Sequence, residues 1–131
     1  MIFTLQPYEI DDNWSWISRF LEKIEDAPWK PSDVRDALVA GHAQLWGARD
    51  GALPLGIWIT KIENTGSTRW GLVWIAVGEP LELGLKLFNE HTVPWMRSLG
   101  CEFVQLFGRK GWKKALPEYE DKGIILVRKL V

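Results

Sequence analysis

Residues 72–77 read Leu-Val-Trp-Ile-Ala-Val, apolar at every position. A strand with one wet face alternates polar and apolar side chains, so an unbroken apolar run must be covered on both sides. The run therefore predicts a central strand over 69–77 with packing layers above and below it. Gly78-Glu79-Pro80 then turns the chain, and Leu81, Leu85, Phe88, Thr92, Trp95/Met96 and Leu99 fall on one helical stripe. A helix over about 82–99 followed by the strand "CEFVQLF" (101–107) makes a crossover, which joins strands that lie parallel. Pro94 lacks a backbone donor and should kink or break this helix in its last turns.

The remaining chain supplies elements for that frame. "IFTL" (2–5) reads as a first strand closed by Pro7, and Trp14, Ile17, Phe20/Leu21 and Ile24 recur at helical spacing after Asp11 and Asp12. A second helix runs from Ser32 or Asp33 to Val39 and stops at Gly41. "HAQLWGAR" (42–49), the turn Asp50-Gly51 and "LPLGIWITKIE" (53–63) form a hairpin, and "NTGST" turns the chain into the central strand. After 107 come a short helix or turn over 109–116 and a final strand over 123–130. The order β-α-α-β-β-β-α-β-α-β predicts an α/β (α+β) architecture, a mixed sheet with helices on both faces.

Composition excludes several function classes. The 131 residues are 47% hydrophobic and 25% charged, as expected of one globular domain spanning 1–131. A net charge of −1 gives no overall attraction to nucleic acid or an anionic membrane, and no apolar run approaches the ~20 residues of a membrane span. "MIFTLQPYEIDD" has no basic n-region, so no secretory signal is expected; the single cysteine, Cys101, excludes an internal disulfide and fits a reducing, cytoplasmic location. Two histidines and one cysteine leave too few soft ligands for a metal site. The nine tryptophans, Trp14, Trp16, Trp29, Trp46, Trp58, Trp70, Trp74, Trp95 and Trp112, can fill a small core. Any surplus left exposed would form a surface for a protein partner or a second copy of the chain.

The element order, "LVWIAVG" leading into "LELGLKLF", and "LGCEFVQLFGRKGWKKAL" near the end resemble the Gcn5-related N-acetyltransferase (GNAT) superfamily over nearly the whole chain. Size, tryptophan content and "GRKGWKKAL" are also similar to the short GNAT-like proteins of tailed phages, some of them associated with virions. The resemblance implies that acetyl-CoA would lie where the fourth and fifth strands splay apart. Contacts would come from Ile75, Val77, Gly78, Gly84, Leu85 and Arg109, with Gly84 the surviving glycine of the family's Arg/Gln-x-x-Gly-x-Gly/Ala pyrophosphate loop. Between Val77 and Leu85 this chain has only "GEPLELG", so the basic glycine-rich loop is expected to be degenerate. Glu79 and Glu82 would stand near diphosphate, where a like-charge pair at ~4 Å and an effective dielectric of 20 costs about 4 kcal/mol before screening. On that view the cleft should be closed by Leu81, Leu85 and Phe107.

The resemblance also implies a glutamate or water as general base and a tyrosine as general acid; Glu63 and Tyr119 are the candidates. His42 and His91 could act as bases by chemistry, and Cys101 reads as a buried thiol without an adjacent histidine. Arg109, Lys110, Lys113 and Lys114 around Trp112 form the densest basic patch, able to grip phosphate or nucleic acid but followed at once by Glu118, Glu120 and Asp121.

Three functions stay open at this point. The leading reading is a GNAT-fold accessory or virion-associated protein acting through protein contacts, resident in the host cytoplasm or the virion, with acetyl transfer lost or weak and no cofactor. The second is an active acetyl-CoA-dependent N-acetyltransferase with an atypical loop. The third is a nucleic-acid-binding module.

Overall fold

The computed structural model describes residues 1–107, 120–121 and 125–131. β1 (Ile2–Leu5) leads through a 3₁₀ turn at Pro7–Glu9 into α1 (Ile10–Leu21), and α2 (Pro31–Val39) follows. β2 (Gln44–Asp50), β3 (Leu53–Thr65) and β4 (Thr68–Gly78) form an antiparallel meander. Each hairpin turns on two residues, Gly51-Ala52 and Gly66-Ser67, with the glycine at positive φ, the backbone that matches strand twist. α3 (Leu81–Leu87), a π-turn (Phe88–Thr92) and α4 (Val93–Ser98) carry the chain to β5 (Phe103–Phe107). β6 (Glu120–Asp121) and β7 (Ile125–Lys129) complete a seven-stranded sheet ordered β1-β2-β3-β4-β5-β7-β6.

The predicted mixed sheet and its crossover are present: β4 and β5 pair in parallel, from Trp70↔Phe103 to Val73↔Leu106. Helices lie on both faces. Ile17, Leu21, Val34 and Leu38 from α1 and α2 pack on Leu45, Ile57, Ile59 and Ile75. Leu87, Phe88, Val93 and Met96 cover Trp46, Trp58, Val73 and Val104 on the other side. β6 was not expected from the sequence; its two residues are both acidic, too short and too polar to register as a strand. The helix expected over 109–116 lies outside the described residues.

Pro94 acts one turn earlier than anticipated. It occupies the first turn of α4, where its missing N–H breaks no helical bond, and the chain relaxes into a π-turn directly before it. Thr92 in that turn is fully buried and accepts a hydrogen bond from the Trp58 indole N–H at 2.9 Å, tying the irregular turn to β3.

Most of the described tryptophans pack in the two layers between helix and sheet. Of the eight that are described, Trp46 and Trp58 are buried and the other six half-buried. Trp46 and Trp58 are cross-strand partners; Trp46 meets Trp95 edge-on at 5.2 Å and donates to the buried Thr60 hydroxyl at 3.0 Å. Trp74, which a central strand would bury, is only half-covered, with the Lys61 ammonium 3.7 Å above its ring. Trp70 stacks on Phe103 at 4.6 Å across the β4–β5 pair.

Gly71 on β4 lies directly under Met96, and a Cβ added there would overlap the Met96 side chain. Gly71→Ala is therefore expected to cost about 1–3 kcal/mol by overpacking. In a Met96→Ala background, where the space is vacated, the same substitution should cost well under 1 kcal/mol; urea denaturation of the four variants measures this coupling.

Candidate active-site cleft

Two added residues shape one end of the sheet. Between β3 and β4 the register runs Ile59↔Ile75 and then Thr60↔Val73, which leaves Trp74 as an extra residue in β4. Such a bulge bends its strand and raises the local twist. Pairing of β4 with β5 ends at Val73↔Leu106, beside the bulge, whereas β4 continues along β3 as far as Gly78↔Gly56. Beyond Val73, β5 runs with β7, to Phe107↔Ile125, and no longer with β4. Among the described residues, no strand pairs with the edge of β4 over 74–78 that faces β5.

A second bulge leaves Leu55 unpaired between Gly56↔Ala48 and Pro54↔Arg49. Its carbonyl accepts from the Glu79 N–H at 3.2 Å, which pins the corner between β4 and α3 to the β3 end. Gly78 at this corner has φ +130, and a Cβ there would collide with the backbone of Leu55 and Gly56. No other residue fits that position.

Between the diverging strands and α3 lies a cavity of about 250 Å³. Ala48, Gly56 and Gly78 are register partners in one row across three strands, and their small size leaves the floor low. Trp58, Val73, Phe88 and Leu106 close the deep end, and Leu55, Leu81, Leu83 and Leu85 line the approach from the corner. Gly84 on α3 also lines the cavity, and a Cβ added there meets no heavy atom within 4 Å. Among the described lining residues, Glu79 alone is ionisable. α3 opens after Pro80 with no capping side chain, and Glu82 sits in its first turn, complementing the helix dipole from within the chain.

Several sequence candidates meet here. Val77, Gly78, Gly84 and Leu85 all line the cavity. Ile75 does not: the bulge advances the alternation by one residue, so Ile75 is 3% exposed and packs in the α1–α2 core while Ala76 faces the cleft side. Leu81 and Leu85 border an open cavity and do not seal it. Glu63 is exposed and pairs with Trp70 at the opposite end of the sheet, seven positions along β3 from Gly56, or ~23 Å at about 3.3 Å per residue. Arg109, Lys110, Trp112, Lys113, Lys114 and Tyr119 lie outside the described residues. His42 and His91 are both on the surface. Sequence reasoning missed Ala48, Leu55, Gly56, Trp58 and Phe88; the β2–β3–β4 register brings the first four together, and the π-turn packed on the sheet adds Phe88.

Among the described residues no group of three His, Cys, Asp or Glu side chains could hold a metal ion, and no helix is long and apolar enough to cross a membrane. Cys101 is 1% exposed, and burial pushes its thiol up from the ordinary value against a smaller opposing pull from the Arg69 charge.

No protein-family model and no curated protein sequence matches the chain. Solved structures do. A GNAT family acetyltransferase from Brucella melitensis in complex with acetyl-CoA superposes with a TM-score of 0.72 at 16% identity, covering 100% of this chain and 88% of the other. A probable acetyltransferase from Staphylococcus epidermidis gives 0.71 at 10% identity, with 100% and 99% covered. A predicted acetyltransferase with acetyl-CoA from Clostridium acetobutylicum gives 0.66 at 14%, with 94% and 92% covered. The chain has the GNAT fold.

The buried, largely neutral Cys101 thiol should resist alkylation. Iodoacetamide at pH 8.5 is expected to label native protein at least ~100-fold more slowly than urea-unfolded protein, because the thiolate is the nucleophile and is disfavoured by burial. Equal rates, followed by mass spectrometry, would place Cys101 at the surface.

Proposed function

We propose that this protein is an acetyl-CoA-dependent N-acetyltransferase whose acyl donor enters the wedge between β4 and β5. The observation that carries the reading is the cavity itself, held open beside a free strand edge. An extended arm bearing amide groups can pair with that edge as an added strand would. The apolar walls suit its methylene groups, and the deep end, closed by Trp58, Val73, Phe88 and Leu106, would keep a thioester away from bulk water. The donor supplies a thioester carbonyl that an amine lone pair would attack. The carbon–nitrogen bond forms as the carbon–sulfur bond breaks, and the surplus amine proton ends on the departing CoA sulfur, leaving an N-acetyl amine and free CoA thiol. The chain's part is to orient that carbonyl and exclude competing water. The acetyl-CoA in the Brucella and Clostridium proteins of the same fold supports this choice of donor.

The alternative of a protein acting only through its surfaces, with transfer lost, favours a wedge filled by side chains. Among the described residues, the small ones in register on the floor and the bare Gly84 support the donor-site reading instead.

Titration calorimetry with acetyl-CoA tests the reading. Saturable binding is expected with a dissociation constant below about 1 mM, worth more than ~4 kcal/mol. Gly84→Leu, which projects a side chain into open space on α3, should weaken binding at least ~10-fold while leaving the melting temperature unchanged or higher, since leucine favours helix over glycine. A flat titration of the unaltered protein would refute the proposal.

A further inference from the structure

Building on that donor-site reading, we infer that Glu79 and Glu82 set donor selectivity: the cleft grips the pantetheine arm and its thioester, while the adenosine diphosphate end gains nothing from the corner that it passes. The lining is apolar except at the corner, where the charge is negative. The described lining is apolar from Val73 and Leu106 at the deep end to Leu81 and Leu83 beside the corner, and suits a neutral arm throughout. A diphosphate leaving the cavity mouth would come to Glu79, which lines it, and Glu82, exposed in the first turn of α3.

The corner is poorly equipped for an anion in three further respects. Pro80 contributes no N–H. The Glu79 N–H is already spent on the Leu55 carbonyl at 3.2 Å. α3 is only seven residues long, and Glu82 already stands at its positive end. Lys86, one turn further along α3, is exposed and is not among the described lining residues. Carboxylates at these two positions repel a donor carrying phosphates and leave a neutral pantetheine thioester untouched.

The expected signature separates donors by charge. S-acetylpantetheine, which keeps the arm and thioester but has no phosphate, should bind within roughly threefold of acetyl-CoA when both are titrated calorimetrically at the same ionic strength. Raising NaCl from about 50 to about 300 mM should strengthen acetyl-CoA binding by screening the carboxylates and leave S-acetylpantetheine nearly unchanged. Glu79→Gln with Glu82→Gln should raise the ratio of acetyl-CoA to S-acetylpantetheine affinity by roughly threefold or more, read against the same two titrations. Acetyl-CoA binding more than ~30-fold tighter than S-acetylpantetheine, and weakening as salt rises, would overturn the inference and leave the donor site intact. Failure of both compounds to bind would instead overturn the donor site on which the inference rests.

Discussion

One extra residue in β4 governs the functional end of this molecule. β4 must satisfy two neighbours, β3 along its whole length and β5 over the first part. With Trp74 inserted it cannot keep both registers, and the antiparallel ladder with β3 prevails because it extends to Gly78. The β5 ladder stops at Val73, and β5 follows β7 from there. A backbone edge left unpaired inside a protein is costly unless water or a ligand completes it. Here it borders a cavity wide enough to admit such a ligand. The bulge thus creates the opening and supplies the hydrogen-bonding groups that could close it.

The aromatic residues keep the wedge from collapsing. Trp46, Trp58 and Trp95 form a rigid block between sheet and helix, and the indole N–H groups of Trp46 and Trp58 end on the buried hydroxyls of Thr60 and Thr92. Thr60 in turn donates to Gln44 at 2.9 Å. These bonds fix α4 and the π-turn relative to β2 and β3. α3 packs on the same core through Leu83, Leu85 and Leu87, above the small-residue floor. Gly84 projects no side chain into the space, and a Cβ there would meet no heavy atom within 4 Å.

The backbone of this arrangement was legible because it rests on periodicity. A two-faced apolar run, a helical stripe and a following strand specify a parallel crossover with little ambiguity, and β4, β5 and the intervening helical segment obey it. The bulge was invisible for the same reason. Every residue from Leu72 to Val77 is apolar, so an inserted residue leaves no break in the pattern, and the sequence does not show that the Ile75 side chain lies in the α1–α2 core while Ala76 faces the cleft side. Ala48, Gly56 and Gly78 carry no signal individually; their shared row exists only once the register is known. Glu63 reads as a strand-end carboxylate, but adjacent strands of a meander end at opposite ends of the sheet, and the end that holds Glu63 is remote from the cavity. Pro94 correctly announced an irregular helix, with the distortion displaced into the turn before it.

The central claim is that the free edge of β4 receives the donor. Hydrogen–deuterium exchange of the whole protein, with and without saturating acetyl-CoA, measures this directly. The account predicts slowed exchange at amides within 74–78, where β4 has lost β5, and little change at 70–73, where the two strands already pair. Ligand-dependent protection elsewhere, with 74–78 exchanging as fast as in the free protein, would contradict it.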